Sequence, residues 1–175
     1  MTQKIKRTGT LIGLVLATIL IAITSYIYFI DLKLYTSIVF GSLKLLTIII
    51  FGIISIVLSK NILGGTITFK EAFSSYFLTI FIGNLLSTIY LVIVINFLSI
   101  ETKNTLKSEL INFNNELMLQ NNSSQADINK AIEKSKTYDP FTLSETLRPS
   151  FNYLLRDCLI GLLVALIFRN KREIQ

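Results

Sequence analysis

Four long apolar runs, almost free of charge, constrain this chain more than any other feature. The first contains LIGLVLATILIAITSYIYFI, residues 11–30, which carries no charged side chain. A helix of about 20 such residues rises about 30 Å, the thickness of the hydrocarbon layer of a bilayer. A secretory signal usually has a shorter apolar core and ends at small residues, whereas this run ends in tyrosine and phenylalanine. We therefore interpret it as a retained membrane span.

The whole chain fits this interpretation. Hydrophobic residues make up 51% of the 175 residues and charged residues only 16%, a balance typical of membrane proteins. The four predicted spans have approximate bounds of 9–30, 35–59, 72–100 and 151–168. The sequence thus predicts an all-α polytopic membrane protein, a single domain over residues 1–175. Its four transmembrane helices are interrupted by a polar helical excursion, residues 101–150, between the third and fourth.

Basic residues collect beside the ends of these spans and predict the orientation. They precede the first span, bracket the link between the second and third, and follow the fourth: Lys4, Lys6, Arg7, Lys60, Lys70, Arg169, Lys171 and Arg172. With four crossings all of them lie on one side, which the positive-inside rule predicts to be the cytoplasm. Both termini are then cytoplasmic, and the polar excursion is extracytoplasmic.

Aromatic residues near the span ends predict contacts with lipid head groups. The start of the third run mixes Phe73 and Tyr76 with charged residues and with Ser74 and Ser75. We expect this first turn to be interfacial and Tyr76 to belong to the aromatic belt.

The polar excursion has the periodicity of an amphipathic helix. Leu106, Leu110, Phe113 and Leu117 recur at the spacing of one helix stripe. The third span is therefore expected to continue out of the membrane as a rod, which breaks at residues 121–124 and folds back as a helical hairpin. The hairpin is either a docking arm for a partner or a solvated connector whose apolar stripe closes on itself.

Four polar residues lie inside the predicted spans: Lys44, Asn84, Arg156 and Asp157. Asp157 shares a helix face with Gly161 and Ala165, and small residues allow close helix packing in lipid, so Asp157 should point into the bundle. Arg156 should face lipid and snorkel to the head groups. Asn84 is a hydrogen bonder near the middle of the membrane.

Lys44 shares its stripe with Gly41 and Gly52, so it too should lie inside the bundle. A lone charge there costs about 2.5–3.5 kcal/mol on insertion scales, which favours a partner at a reachable depth. The sequence therefore predicts an ion pair between Lys44 and Asp157. This pair is either a clasp that fixes helix register or a site for an ion, a proton or a substrate.

Several kinds of chemistry have no residues to support them. The chain contains no histidine and a single cysteine, Cys158, inside an apolar run, so imidazole catalysis and the common zinc sites are excluded. Gly64-Gly65 lacks the Gly-Lys-Ser/Thr ending of a phosphate-binding loop. We expect no cofactor, no metal and no enzymatic activity. The net charge of +6 is explained by its placement beside the spans, so no nucleic-acid partner is expected.

Three stretches resemble a known family. They are GTLIGLVLA at residues 9–17, GGTITFKEAF at residues 64–73, and IFRNKR at residues 167–172. With the overall layout, they are similar to a bacterial family of small integral membrane proteins known only as a domain of unknown function. The resemblance implies a four-span protein of the bacterial inner membrane, and it carries over no functional residues.

Two functions from different classes are favoured at this point over a third, a lipid-modifying membrane enzyme that would use outer carboxylates such as Asp139 or Glu145. The first is a membrane interaction or accessory module that assembles with itself or with another membrane protein through its small-residue faces. The second is a small oligomeric transporter or channel subunit, in which Lys44, Asn84 and Asp157 line a polar path. A water-filled cavity that reaches Lys44 would favour the second.

Overall fold

The computed structural model describes residues 2–170, except for the side chain of Lys136. Lys171 and Arg172, which contributed to the predicted orientation, lie outside the described residues. The described chain is helical and contains no strand. Its elements are α1 (Gln3–Phe29), a 3₁₀ helix (Leu32–Thr36), α2 (Ile38–Ile62), α3 (Phe69–Phe97), α4 (Ile100–Gln120), α5 (Gln125–Thr137) and α6 (Leu143–Phe168).

Each helix after α1 begins at a hydroxyl residue that satisfies a free backbone N–H. Ser37, Thr68, Ser99, Ser124 and Thr142 are these N-caps. Because Ser99 caps α4 after an extended residue at the end of α3, the helix is interrupted there. The expectation that the third span continues outward as one rod was therefore wrong.

Four of the described helices, α1, α2, α3 and α6, are long and apolar enough to cross a membrane. The four predicted spans are confirmed, and the helices that contain them have bounds of their own. The helix α6 begins at Leu143, well before the predicted start at 151, because Thr142 caps it and Pro149 is accommodated inside it.

The two ends of the bundle differ in character. At one end lie the start of α1, the link between α2 and α3 and the end of α6; we call it the basic end because it carries Lys4, Lys60, Lys70 and Arg169, among others. At the opposite end lie the 3₁₀ helix, α4 and α5; we call it the arm end. Asn170 joins the elements of the basic end, since its side chain accepts a hydrogen bond from the backbone N–H of Ile67 at 3.1 Å.

The helices α1 and α3 approach closely along glycines. A Cβ on Gly13 would lie 2.9 Å from the Cβ of Ile82, and one on Gly83 would lie 2.7 Å from Leu16. Gly9 faces α3 in the same way, near Leu78. Small residues on these faces allow the backbone contact that stabilises helix pairs in lipid.

A cluster of buried hydroxyls joins α2 to α3 and α1. The Ser75 hydroxyl lies 2.7 Å from the hydroxyls of both Ser55 and Ser59. Thr79 donates to Ser55 at 2.8 Å and approaches the carbonyl of Gly9. Because all four side chains are buried, Ser75 belongs to the core of the bundle.

Tyr76 occupies the centre of the packed half of the bundle. Its side chain is fully buried, and its ring fills the space left by two glycines that face it, Gly52 on α2 and Gly161 on α6. A Cβ on Gly52 would lie 2.2 Å from the ring, and one on Gly161 would lie 2.5 Å from it. The expected place of Tyr76 in a head-group belt was therefore wrong, because two glycines open a slot for the ring in the core.

The helix α4 packs against the arm end of the bundle. Leu106 is buried in a cluster with Tyr28 of α1 and with Val94 and Ile95 of α3. Farther along the same stripe, Leu110 and Phe113 face a cavity between the membrane helices. The apolar stripe thus covers the bundle, and α5 returns beside α4 after a tight turn in which Asn122 has a φ of 54°.

Candidate functional site

A cavity of about 540 Å³ lies between the helices at the arm end. All four membrane helices, the 3₁₀ helix, α4 and the loop before α6 contribute to its wall. The deepest polar side chains of the wall are those of Lys44, Asn84 and Arg156, three of the four polar residues that the sequence placed inside the spans. The structure therefore brings this polar set to one place.

Asp157, the fourth member of the set, lies behind the wall with no exposed surface. Its Oδ1 accepts hydrogen bonds from the Nε and Nη2 of Arg156 at 3.0 and 2.8 Å. Its Oδ2 lies 3.5 Å from the Nδ2 of Asn84, which ties α6 to α3. Asp157 points into the bundle as expected, and its carboxylate is bound on both oxygens.

The predicted ion pair between Lys44 and Asp157 is absent from the structure. Asp157 is paired with Arg156 instead, its neighbour in the sequence. Lys44 makes no hydrogen bond or ion pair with any residue in the described part of the chain, although its ammonium interacts electrostatically with the Asp157 carboxylate. The helix-stripe geometry placed Lys44 correctly, but the flexible guanidinium group reaches the carboxylate first.

Arg156 makes a contact that the sequence analysis did not predict. Its guanidinium folds back onto Asp157, and its Cζ lies 5.1 Å from the ring centroid of Tyr153, one turn earlier on α6. Positive charge over an aromatic face is favourable. The side chain remains 43% exposed and lines the cavity, so part of the guanidinium is available to another group.

Lys44 is a charge in an unusual setting. It lies inside α2, and the wall around it includes Leu45 and Ile48. A charged side chain inside a membrane is costly without a partner, so Lys44 is a candidate for a functional position. The cavity beside it offers room for such a partner.

Aromatic rings surround the cavity nearer the arm end. Tyr28 and Tyr35 meet edge to face with their centroids 5.9 Å apart, and Phe113 and Phe141 also line the wall. Burial raises the pKa of the Tyr35 hydroxyl above its usual value, so it stays a neutral donor at ordinary pH.

Glu145 lies at the start of α6, where the cavity meets the surrounding loop. It accepts a short hydrogen bond from the hydroxyl of Tyr138, and this bond raises the pKa of Tyr138 to about 12. Glu145 is therefore engaged by the loop before its own helix.

The sequence did not reveal the cavity or the elements that bound it. Toward the basic end, the space between the helices is filled by Tyr76, and α4 contributes Leu110 and Phe113 to the cavity wall. The sequence signal for this arrangement was that Gly52 and Gly161 each lie on a helix face assigned to the interior, where two glycines can leave space for a large side chain.

The small-residue faces proposed for assembly are used within the chain. Gly9, Gly13 and Ala17 are buried in the contact of α1 with α3, and Gly52 and Gly161 contact Tyr76. Assembly with a second copy would have to use other surfaces. Among the described residues there is no group of three His, Cys, Asp or Glu side chains that could hold a metal ion.

The four apolar helices, packed through glycines and buried hydroxyls, define a polytopic helical membrane protein. The comparison with protein families is consistent with this class. A family model described as "Protein of unknown function (DUF4199)" matches residues 11–170, so the chain belongs to the DUF4199 family. Comparisons with the curated proteins and with the solved structures gave no match.

Proposed function

We propose that this protein is a non-enzymatic accessory module of a bacterial inner membrane that binds a small amphiphilic molecule in the arm-end cavity. The observation that carries the proposal is the cavity itself, about 540 Å³ of space inside the bundle. Small-molecule sites have volumes of about 300–1,000 Å³ and combine an apolar wall with a few polar groups. Lys44, Asn84 and Arg156 are the polar groups here.

The two halves of the bundle support a binding role for this end. Toward the basic end the helices close on each other through Tyr76 and the hydroxyl cluster around Ser75. Toward the arm end the helices leave the cavity between them, and Gly41 of α2, which lines it, has no atom within 4 Å of the place where a Cβ would lie. The absence of a side chain at Gly41 leaves space in the wall that close packing does not use.

In this proposal the basic end faces the cytoplasm and the arm end faces outward, following the positive-inside rule. The test uses single thiols at Gln120 and Asn61 in a Cys158→Ala background. In intact cells a membrane-impermeant thiol reagent should label Gln120→Cys, and it should label Asn61→Cys only after permeabilisation. Labelling of Asn61→Cys in intact cells would reverse the orientation.

Occupancy of the cavity can be tested with a decanol analogue that carries a photoactivatable diazirine. The protein is placed in nanodiscs of phosphatidylcholine, and labelled residues are mapped by mass spectrometry. Leu45 and Ile48 in the cavity wall should be labelled in the native chain and spared in Gly41→Phe, which fills the space. Leu43 and Leu46, which are exposed on the outside of α2, report probe dissolved in the bilayer and should be labelled in both. Labelling of the outer face alone would refute the proposal.

A transporter or channel subunit is the second candidate, because the cavity reaches the intramembrane Lys44. The ring of Tyr76 fills the space between Gly52 and Gly161, on the basic-end side of the cavity. Transport would require that Tyr76 move. Counterflow of a bound amphiphile across proteoliposomes, present in the native chain and lost in Gly41→Phe, would favour this candidate over a static binding module.

A further inference from the structure

The charges around the cavity determine which head group it can accept. Three of the residues that line it carry formal charge: Lys44, Arg156 and Glu145. Arg156 is balanced by the carboxylate of Asp157, which it binds through two hydrogen bonds. Lys44 has no such partner among the described residues, so the deep wall carries an unbalanced positive charge.

Glu145 does not supply the missing negative charge. It lies eleven residues before Arg156 on α6, a distance of about 16 Å along the helix at about 1.5 Å per residue. Its carboxylate also accepts the hydrogen bond of Tyr138 in the loop. The negative group of the wall is therefore near the arm end, and the positive group lies deep.

We propose that the cavity binds an amphiphile with an oxyanion head group, and that the ammonium of Lys44 is the charge that binds this head. The inference rests on the proposed function and adds the class of ligand. An ammonium has three donors, and a carboxylate, sulfate or phosphate ester is the acceptor that best satisfies them where water is scarce. The ligand supplies the direct ion pair that Asp157, which is bound to Arg156, does not form with Lys44.

Arg156 is placed to contribute a second contact to the same head group. A guanidinium has five N–H donors, and Asp157 uses two of them. The side chain is 43% exposed and shares the cavity wall with Lys44. Because Asp157 and the ring of Tyr153 fix the guanidinium in place, its remaining donors are held in a defined orientation.

The rest of the wall requires that the oxyanion be attached to an apolar body. Ile27, Leu45, Ile48, Leu91 and Ile95 line the same space, from three different membrane helices. A free inorganic anion would leave these side chains without contacts and would lose its hydration for one ammonium. An alkyl or ring-containing body covers them while its head reaches Lys44.

The test compares two probes of equal chain length, decyl sulfate and decanol, which differ in the charge of the head. Binding is measured by equilibrium competition in phosphatidylcholine nanodiscs, with empty nanodiscs to subtract partition into lipid. The native chain should prefer decyl sulfate by about tenfold or more, the value of one charge-assisted hydrogen bond. Lys44→Met should abolish that preference, and Lys44→Arg should retain it.

Further measurements identify the source of the natural oxyanion and show which of the two proposals has failed. Inorganic sulfate should not compete, whereas phosphatidylglycerol in the nanodisc competes if the natural oxyanion is a bilayer lipid and does not if it is a free amphiphile.

If Gly41→Phe changes the binding of neither probe, the proposed function fails. If Gly41→Phe weakens both probes but Lys44→Met keeps the preference for decyl sulfate, the cavity stands and the role of Lys44 is refuted. Because Lys44→Met removes a charge from the membrane interior, it is expected to fold.

Discussion

The carboxylate of Asp157 is held by the guanidinium of Arg156, the residue directly before it, at 2.8 Å. Adjacent residues on a helix point about 100° apart, so the long arginine side chain must fold back to make this contact. Asp157 has no exposed surface, and Arg156 is 43% exposed. The two members of the pair are therefore unequal, since only the carboxylate depends wholly on its partner.

This inequality predicts which single substitution is worse. Arg156→Leu leaves a buried carboxylate whose remaining hydrogen-bond partner among the described residues is Asn84, so it should destabilise the protein by about 3 kcal/mol or more. Asp157→Asn releases an arginine that can reach the cavity or the head groups, so it should cost less. Unfolding in mixed detergent measures both. Equal losses, or a larger loss for Asp157→Asn, would contradict the arrangement.

Double-mutant cycles, measured by the same unfolding experiment, test whether Lys44 or Arg156 is the partner of Asp157. A double-mutant cycle between Arg156 and Asp157 should show strong coupling, because their side chains are in contact. The cycle between Lys44 and Asp157 should show weak coupling, because no direct pair forms. A stronger coupling for Lys44 than for Arg156 would restore the pair predicted from the sequence.

Two glycines of α2 should respond in opposite ways to alanine. Gly41→Ala places its methyl group in open space and replaces a poor helix former, so stability should stay the same or rise by up to about 1 kcal/mol. Gly52→Ala places its methyl group 2.2 Å from the ring of Tyr76 and should destabilise the protein by about 1–3 kcal/mol. Thermal unfolding in one detergent compares them. Tolerance of both would mean that Tyr76 is not confined by α2.

Tyr76 offers a test of packing against hydrogen bonding. Its hydroxyl is buried and has no hydrogen-bond partner among the described residues. Tyr76→Phe should therefore leave stability unchanged or increase it, because an unsatisfied buried hydroxyl is unfavourable. Tyr76→Ala should cost about 3–5 kcal/mol through the cavity it creates. A large loss in Tyr76→Phe would show that the hydroxyl has a partner, such as a water.

The contact of Tyr138 with Glu145 predicts a pH dependence at the arm end. The hydrogen bond raises the pKa of Tyr138 from 10.0 to about 12, so its neutral form is favoured in the folded state. The stabilisation is complete below pH 10 and is lost as the pH rises from 10 to about 12. The ultraviolet difference spectrum between the native chain and Tyr138→Phe isolates this tyrosine. Glu145→Gln should lower its pKa, and an unchanged titration would contradict the contact.

The sequence was sufficient for the spans because each apolar run carries its own signal of length and charge. It also placed Asp157 and Lys44 on interior faces, since helical periodicity determines which residues share a face. It failed where the outcome depended on contacts between distant segments. The sequence position of Tyr76 is typical of the aromatic belt, but in the structure Gly52 and Gly161 flank its ring in the core.

The prediction of an ion pair between Lys44 and Asp157 was wrong for a related reason. Depth and face made Lys44 a suitable partner for Asp157, but side-chain flexibility allowed Arg156 to compete from the same helix. The cavity could not be predicted, because its wall combines residues of all four membrane helices with residues of the 3₁₀ helix, α4 and the loop before α6. This combination is not determined by the residues of a single span.

The most direct test of the cavity compares thiols at two adjacent positions of α2, in a Cys158→Ala background in nanodiscs that expose both faces of the membrane. Lys44 lines the cavity, whereas Leu43 is exposed on the outer face of the bundle, where lipid surrounds it. A charged thiosulfonate reagent should label Lys44→Cys much faster than Leu43→Cys, and Gly41→Phe should suppress that labelling. Equally slow labelling at both positions would contradict an open cavity that reaches Lys44.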